Sequence, residues 1–534
     1  MHKLGWCLIA LLVIGTEQAT ALQSAAGTIP LDEASIADLN AAFRAGSLTS
    51  EQLVQLFLAR IDRYDKRGPA LRAIITLNPK ALETARQLDA ERKTKGARSA
   101  LHGIPVILKD NIDTSDMPTT AGSIMLKGSV PPDDAFLVKR LREVGAIMLG
   151  KANLSEFASG RAASSLGGQM KNPHDLLRTP LGSSGGSGIA VASAFAVLAV
   201  GTDTGGSVRL PASATGIVGL KPTHGLISCD GVVPLAPTLD TAGPMARNVH
   251  DVAVALGVLA GVDPNDSATK KSETHIELDY TKFLRRDGLK GARLGIARDF
   301  MGFDPDVDWA AEAAVLAIRR AGGTVVDVQL PKWLLDSKSE FYNAIRYPEF
   351  AAFIPGYLKT LGVAYPKNIE ELLARATEVH AFGPDGTGPN PNRWTMMKRE
   401  AASAKLDDYR YTSVRDHALE MIRAVFEGIF RSHNLDAIIY PTQPRRAPLL
   451  SAPPDPPGGV RESPMNLANL TGFPDLAVPA GFTTDGIPVT LSFLGPAFSE
   501  PRLLSIGYSF EQETQARRLP INTPLAQGEI IRRH

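Results

Sequence analysis

The chain has 534 residues, of which 44% are hydrophobic and 21% are charged, and its formal net charge is +1. This composition is typical of a soluble globular protein, and the length is compatible with one large α/β domain. A net charge near zero, without any run of like charges, gives no reason to expect a nucleic acid or an acidic membrane surface as a partner.

The first residues have the pattern of a secretory signal peptide. Lys3 precedes a short apolar run, residues 4–14, and an A-T-A cleavage site ends at Ala21. We expect cleavage after Ala21, with Ala26 as the alternative. The mature protein is then exported, periplasmic or secreted, without stable membrane association. An uncleaved anchor stays open, although a membrane span needs about 20 residues.

Removal of residues 1–21 leaves Cys229 as the single cysteine, so an internal disulfide cannot form. A reactive thiolate needs a neighbouring cation or a helix N-terminus to lower its pKa. The adjacent Ser228 and Asp230 supply no cation. We therefore expect a packed thiol at Cys229, with a catalytic nucleophile as the alternative.

Hydrophobic periodicity predicts alternating helices and strands along the first 150 residues. Thr49 and Gln52 form a capping box that begins the second helix. Asn78-Pro79 precedes a third helix that reaches about Lys95. The second helix is residues 49–65, the other predicted helices are residues 31–46 and 134–143, and the predicted strands are residues 71–77, 104–108 and 146–149.

The same alternation returns in the C-terminal half, on both sides of a mostly helical region, residues 332–431. Because strands lie on both sides of that region, cutting the chain there would split one sheet, and we expect a single domain. Alternation of strand and helix favours a largely parallel sheet covered on both faces. The predicted strands are residues 293–297, 324–330, 437–440, 475–478 and 489–493, and the predicted helices are residues 309–321 and 503–517.

Two loops interrupt this part of the chain. One is the Gly/Pro-rich segment 382–393, and the other is the proline-rich segment 441–464, which contains Arg445, Arg446 and Arg461. Loops over an α/β sheet often border the substrate entrance. A solvated connection is the alternative interpretation of both segments.

The histidines and glycines give no sign of a metal or a cofactor. The ten histidines are scattered, without H-E-x-x-H or Cys/His pairs at ligand spacing. We expect structural hydrogen bonds at His102, His174 and His224. Neither a Walker sequence nor a dinucleotide-binding G-x-G-x-x-G follows a strand in the required way. We therefore expect neither a cofactor nor a metal.

A G-x-S-x-G pattern centred on Ser184 is misleading. In an α/β-hydrolase such a serine sits on a tight turn between a buried strand and a helix. The preceding residues 176–181 contain an arginine, a threonine and a proline, which make a poor central strand. After His433 the only histidine is the terminal His534, so the late histidine of that class is missing.

A serine hydrolase without histidine needs another base. Neutral lysine can serve, because burial lowers the pKa of lysine. Lys109 is the best candidate, since it follows the apolar run 104–108 and so ends a buried strand. Active sites of α/β sheets lie at that end of the strands. A solvated surface charge is the alternative for this lysine.

Several long motifs resemble the amidase signature family. The resemblance extends from about Ile36 to Arg517, and stand-alone bacterial peptide amidases are the most similar type within the family. The motifs, in chain order, are GIPVILKD at 103–110, GKANLSEF at 150–157, GSSGGS at 182–187, GTDTGGSVRLP at 201–211, GLKPT at 219–223 and DTAGPM at 240–245.

The resemblance implies a Ser–cis-Ser–Lys triad. It assigns the base to Lys109, the bridging serine with a cis peptide bond to Ser183, and the nucleophile to Ser207. The implied fold is a single α/β domain, residues 28–520, with a mixed, mostly parallel twisted sheet covered by helices on both faces. The backbone amides of the oxyanion hole would be those of Thr204, Gly205, Gly206 and Ser207, while Asp203 and Arg209 would brace this loop.

The implied activity is hydrolysis of carboxamides or peptide amides to an acid and ammonia or an amine. By the resemblance, Ala158 and Ser159 line the acyl pocket, and Arg161 either meets a substrate carboxylate or lies in solvent. An esterase or aryl-acylamidase with the same triad, and a binding protein with a dead site, are the alternatives. Leu181 and Gly188 depart from the usual family residues without removing a catalytic atom. The substrate is the expected partner, and the protein itself is expected to be a monomer or a homodimer.

Overall fold

The computed structural model describes residues 27–379, 391–453 and 462–533. The predicted signal peptide therefore lies outside the described residues. So do most of the Gly/Pro segment 382–393 and Arg461 in the proline-rich segment.

One large sheet organises the described chain. Its eleven strands stand in the order β11-β10-β12-β14-β13-β8-β9-β7-β3-β4-β2, and two small two-stranded sheets pair β1 with β15 and β5 with β6. The strands are β1 (Thr28–Pro30), β2 (Ile74–Leu77), β3 (Pro105–Lys109), β4 (Ile147–Ala152), β5 (Ala163–Ser164), β6 (Gly168–Gln169), β7 (Leu198–Asp203), β8 (Val218–Lys221), β9 (Thr241–Ala246), β10 (Arg293–Ala297), β11 (Thr324–Val328), β12 (Ala437–Pro441), β13 (Asp475–Phe482), β14 (Pro488–Leu494) and β15 (Ile530–Arg532).

The prediction of a mixed sheet is confirmed, but the expectation that it is mostly parallel is wrong. In the described sheet β10 pairs in parallel with β11 and β12, and β3 with β4 and β7. The other six pairings are antiparallel. Parallel neighbours need a long crossover, usually a helix, whereas a short turn such as residues 483–487 joins β13 to β14 as a hairpin.

Helices cover both faces of this sheet, as predicted. Every residue of β3, β4, β7, β8, β9, β12 and β14 is buried, which requires cover on both sides. The helices are α1 (Ile36–Ala45), α2 (Ser50–Arg60), α3 (Ala81–Lys95), α4 (Phe136–Glu143), α5 (Gly185–Ala192), α6 (Arg209–Thr215), α7 (Val249–Leu259), α8 (Pro305–Arg320), α9 (Lys332–Thr360), α10 (Ile369–Glu378), α11 (Pro391–Ala401), α12 (Tyr409–Ser413), α13 (Leu419–His433), α14 (Leu467–Thr471) and α15 (Glu500–Thr514).

The elements that local signals predict lie within about five residues of the observed ones, but the prediction does not include the central strands β7, β8 and β9. Thr49 and Gln52 form the predicted capping box at the start of α2. The strand predicted at residues 293–297 is β10 without change. The helix predicted to end at Arg517 ends at Thr514, because Gln515 adopts a left-handed conformation and stops it.

The helical middle, α9 to α13, packs beside the sheet rather than forming a second sheet of its own. Phe350 of α9 belongs to a buried cluster with Phe157 and Ala158, which lie on the loop after β4. Tyr342, also on α9, packs against a second buried cluster that includes Leu467 of α14. The helical middle therefore lies over the loops that follow the central strands.

No helix in the described chain combines the length and apolar character that a membrane crossing requires. Within the same residues, no group of three or more His, Cys, Asp or Glu side chains is arranged to hold a metal ion.

Candidate active site

Two neighbouring parallel strands bring Lys109 and Thr202 to the same edge of the sheet. Strand β3 pairs with β7 so that Leu108 lies opposite Val200, and both strands end within the next three residues. Because the carboxyl ends of parallel strands meet at one edge, side chains that follow them converge there. Lys109 is thus placed by the strand that the sequence predicted for it.

The Lys109 ammonium is buried, and three oxygen atoms surround it. Nζ lies 2.7 Å from Ser183 Oγ, 2.7 Å from Thr202 Oγ1 and 3.2 Å from the Thr202 carbonyl oxygen. Burial lowers the pKa of Lys109 to about 7, against the opposing attraction of the Asp203 and Asp240 carboxylates. The solvated lysine considered as an alternative is therefore wrong, and this amine can exchange a proton near neutral pH.

Ser183 lies on a loop whose backbone is fixed on both sides. The Gly182–Ser183 peptide bond is cis, which confirms the expectation drawn from the resemblance. The Ser183 carbonyl accepts a hydrogen bond from Ser155 N at 3.0 Å, and Ser184 N donates to the Ser207 carbonyl at 3.1 Å. These bonds place the two glycine–serine segments, residues 182–188 and 201–207, side by side, and the Ser183 hydroxyl lies within hydrogen-bonding distance of Lys109.

Ser184 does not point into this site, so the G-x-S-x-G pattern is misleading, as predicted. Its hydroxyl donates to the Thr202 carbonyl at 3.1 Å and accepts from Thr202 N at 3.2 Å. The side chain is fully buried and ties the start of α5 to strand β7. Ser207 is partly exposed, as a nucleophile that must meet a substrate needs to be.

Asp203 and Arg209 brace the loop that carries Ser207, as expected. The Asp203 carboxylate accepts from Gly206 N at 2.7 Å and from Val208 N at 3.0 Å. Arg209 donates to Asp203 from two nitrogens, each at 3.1 Å, and reaches Asp475 at 2.7 Å. Burial alone would raise the pKa of Asp203, but the Arg209 charge and these N–H donors hold it well below its usual range.

This bracing occupies one of the four N–H groups that are expected in the oxyanion hole. The Gly206 N–H is already bound to Asp203, so it is not available to a substrate oxygen in this arrangement. Among the described residues, the N–H groups of Thr204, Gly205 and Ser207 meet no acceptor. Three of the four predicted donors are therefore free, and Gly206 instead serves the turn through its positive φ of 114°.

Replacing Arg209 with leucine should destabilise the whole domain. The substitution leaves the fully buried Asp203 and Asp475 without their common cation, which typically costs about 3–5 kcal/mol. Thermal and urea unfolding of the purified variant would measure the loss. Leucine at Arg285, whose ion pair with Asp287 is exposed, is the control and should leave the unfolding midpoint unchanged. Equal midpoints for the two variants would contradict this role of Arg209.

Three side chains that sequence motifs did not identify lie against the loop that carries Ser207. A Cβ atom at Gly205 would lie 2.7 Å from Asn466 Oδ1 and 2.9 Å from the Tyr342 hydroxyl, and one at Gly206 would collide with Met465. Asn466 precedes α14 with a left-handed φ of 77°. These residues come from segments far from the motifs in sequence, so no local pattern could have indicated them.

Ala158 and Ser159 lie under the helical middle, on the loop after β4. Ala158 is buried in the cluster that contains Phe350, and Ser159 Oγ lies 3.1 Å from Met396 Sδ of α11. Arg161 donates to the Ala452 carbonyl at 2.5 Å, so its guanidinium ties this loop to the proline-rich segment. The two alternatives for Arg161 are a contact with a substrate carboxylate and exposure to solvent, and this bond to a backbone carbonyl is neither of them.

The remaining candidates have structural roles. Burial raises the pKa of the Cys229 thiol, whose Sγ lies 3.7 Å from the Asp240 carbonyl, so a packed thiol is confirmed. Each of the three predicted structural histidines meets a backbone carbonyl through Nε2: His102 with Leu88, His174 with Thr215 and His224 with Pro237.

The fold is an α/β domain around a large mixed sheet. At the carboxyl ends of its central strands, a buried lysine contacts a serine that follows a cis peptide bond. Together these features define an amidase-type serine hydrolase. The family model described as Amidase matches residues 52–504. The chain belongs to the amidase family, and it is an enzyme that hydrolyses amide C–N bonds.

Relatives and solved structures agree with this assignment. A glutamyl-tRNA(Gln) amidotransferase subunit of Halorhodospira halophila is 37% identical, over 91% of this chain and 98% of the relative. A probable amidase of Arabidopsis thaliana is 35% identical, over 92% of each chain. The structure of native peptide amidase from Stenotrophomonas maltophilia is similar with a TM-score of 0.83 and 39% identity, covering 92% of this chain and 99% of that one. The corresponding amidotransferase subunit of Thermotoga maritima gives a TM-score of 0.70 at 28% identity, covering 92% of this chain and 98% of that one.

Proposed function

We propose that the protein is a stand-alone, exported amidase that hydrolyses carboxamides or C-terminal peptide amides through an acyl-enzyme on Ser207. One observation carries the assignment of roles: the buried Lys109 amine contacts Ser183 Oγ at 2.7 Å, beside the loop that bears Ser207. A serine hydroxyl is a weak nucleophile and needs a base. A lysine whose pKa is about 7 is partly neutral at neutral pH and can act as that base.

The first half of the reaction forms the acyl-enzyme. The Ser207 oxygen bonds to the amide carbonyl carbon while its proton passes to Ser183 Oγ, and the Ser183 proton passes to Lys109 Nζ. The free N–H groups of Thr204, Gly205 and Ser207 lie on the loop that would face the developing oxyanion. Loss of one such donor typically costs about 10²–10³ in kcat.

The second half returns the proton and releases the acid. The C–N bond breaks as Lys109 gives its proton back through Ser183 to the leaving nitrogen, which departs as ammonia or an amine. Water then loses a proton to the same pair and attacks the acyl-enzyme. Collapse of the second oxyanion releases the carboxylic acid and restores Ser207. Each proton that Lys109 accepts is returned within the cycle.

The peptide amidase structures support the choice of substrate class. Their similarity to this chain exceeds that of the amidotransferase subunit from Thermotoga maritima, with 39% against 28% identity. The purified mature protein should be tested against peptide amides, aryl amides, fatty amides and the matching esters. We expect the highest kcat/KM for peptide amides. Cleavage of esters alone would favour the esterase alternative, and failure to react with a fluorophosphonate would favour the dead-site alternative.

Hydrolysis of free glutamine is the second candidate. It is favoured by the 37% identity to the glutamyl-tRNA(Gln) amidotransferase subunit of Halorhodospira halophila. Adding glutamine to the same panel separates the two, because the proposed peptide amidase should prefer a peptide amide by a wide margin. A preference for free glutamine, together with co-purification of a second protein chain, would support the amidotransferase candidate.

Export is part of the proposal and rests on the sequence of residues 1–21. N-terminal sequencing of the protein recovered from outside the cytoplasm should begin at Leu22, or at Gly27 for the later cleavage site. A protein that retains Met1 and stays in the cytoplasm would contradict export, without affecting the assignment of the active site.

Activity should rise with pH through about 7 and then level off. The base must be neutral, and at pH 6 a lysine with a pKa of about 7 is roughly one-tenth neutral. The kcat/KM of a neutral peptide amide, measured from pH 5 to pH 9, should therefore fall about tenfold per unit on the acidic side. An optimum at acidic pH would contradict a neutral lysine base.

A further inference from the structure

The Lys109 amine has three oxygen neighbours, but a neutral lysine has only two N–H groups to donate to them. Its three oxygen neighbours are Ser183 Oγ, Thr202 Oγ1 and the Thr202 carbonyl oxygen, all within 3.2 Å. An ammonium donates three hydrogens, one to each. A neutral amine has two hydrogens and one lone pair, so one of the three contacts must reverse its direction when the lysine loses its proton.

Only one reversal supports catalysis. The Thr202 carbonyl cannot donate, so the lone pair receives a proton from either the Ser183 hydroxyl or the Thr202 hydroxyl. In the first case Ser183 is ready to take a proton from the nucleophile. In the second case the Thr202 hydroxyl donates to the lone pair of Lys109, and Lys109 donates to Ser183. The relay requires the opposite direction, because Ser183 must give its proton to Lys109.

The side chain of Asn111 is placed to decide between the two. It is 2% exposed, it follows β3 two residues after Lys109, and its Nδ2 lies 3.1 Å from Thr202 Oγ1. Its Oδ1 is buried and has no hydrogen-bond partner among the described residues. The terminal side-chain torsion of asparagine has only weak preferences. A half-turn about it places Oδ1 instead of Nδ2 next to Thr202 Oγ1.

We propose that Asn111 is a positioning residue that sets the direction of the proton relay. When Lys109 is an ammonium, Asn111 Nδ2 donates to Thr202 Oγ1. When Lys109 is neutral, the amide turns and Oδ1 accepts the Thr202 hydroxyl proton. Thr202 Oγ1 then accepts from Lys109, and the lysine lone pair is left to Ser183. Asn111 thereby acts on the base through Thr202, without touching the substrate.

The inference rests on the proposed function, because it needs Lys109 to work as the base through Ser183. A double-mutant cycle with Asn111→Leu and Thr202→Val tests it. Thr202→Val removes the competing hydroxyl, so Asn111 then has nothing left to orient. We expect Asn111→Leu to lower kcat for a peptide amide about tenfold in the wild-type background, the effect of one reversed hydrogen bond. In the Thr202→Val background we expect a change of less than about twofold.

A second variant separates direction from folding. The carboxylate of Asn111→Asp always accepts the Thr202 proton, so kcat at pH 9 should stay within about twofold of the wild type. Its negative charge adds to those of Asp203 and Asp240 near Lys109, so the acidic limb of the pH profile should move to higher pH. Asn78→Leu is the matched control: Asn78 is also a buried asparagine, its Nδ2 donates to the Met148 carbonyl, and kcat should be unchanged.

Three results would overturn the inference. One is an equal loss from Asn111→Leu in both backgrounds, another is no loss in the wild-type background, and the third is a tenfold loss in Asn111→Asp at every pH without a shift. Inactivity of the wild-type protein toward every amide would instead overturn the proposed function, so the two failures are distinguishable. Should Asn111→Leu not fold, the pH profile of Asn111→Asp decides alone.

Discussion

Replacing Ser207 with alanine is expected to lower kcat for any amide by about 10⁴–10⁶-fold, because no acyl-enzyme can form without the nucleophile. The residual rate would come from substrate binding and the free N–H groups of the loop that carries residue 207. Steady-state hydrolysis of a peptide amide, followed by release of ammonia, measures the loss. Ser207 is partly exposed, and its hydroxyl makes no hydrogen bond among the described residues, so the variant should fold normally.

Ser184→Ala is the matched control for this prediction. Ser184 lies in the other glycine–serine segment and fits the G-x-S-x-G pattern, but its hydroxyl is bound to the backbone of β7. The variant should lose stability by about 1 kcal/mol and still form the acyl-enzyme. Full activity in Ser207→Ala together with inactivity in Ser184→Ala would show that the nucleophile has been misplaced.

Lys109→Ala is expected to lower amide hydrolysis by about 10²–10⁴-fold and ester hydrolysis by much less. The nitrogen of an amide must be protonated before it can leave, whereas an alcohol leaves more readily without that help. The ratio of the two rates, measured on an amide and an ester with the same acyl group, isolates the role of Lys109 as proton donor. Equal losses on both substrates would contradict that role.

Lys221→Met supplies a control with the same electrostatic character. Burial lowers the pKa of Lys221 to about 7 as well, yet its Nζ donates to the Pro222 and Phe473 carbonyls and, within the described residues, contacts no serine. This variant should be less stable than the wild type, but its ratio of amide to ester hydrolysis should be unchanged. A low pKa is thus not enough to make a lysine the base, and the contact with Ser183 distinguishes Lys109.

Much of the fold could be predicted from local signals. The capping box of Thr49 and Gln52, the apolar run before Lys109 and the alternation of helix and strand predict a single mixed sheet and eight of its eleven strands, but not β7, β8 and β9 at its centre. The ratio of parallel to antiparallel pairings could not be predicted, because it depends on which strands become neighbours. Strands β8 and β9 are antiparallel neighbours joined by residues 222–240 without a helix between them, and no local pattern indicates that pairing.

The site divides in the same way. Lys109, Ser183 and Ser207 stand in long motifs, so the resemblance located them and the expected cis bond. Thr202 is in the same motif as Ser207, but its contact with Lys109 follows from the register of β3 and β7. Tyr342 is in α9 and has no motif at all. Its place beside Gly205 follows from how the helical middle packs over the sheet.

The central claim is that Ser207 carries the acyl group. Brief reaction with a slowly deacylating activated ester, acid quenching and mass spectrometry of the digested protein would locate that group directly. We predict one acyl group per chain on the peptide that contains Ser207, and none in Ser207→Ala. An acyl group on Ser183 or Ser184, or no covalent intermediate in a fully active enzyme, would contradict the account.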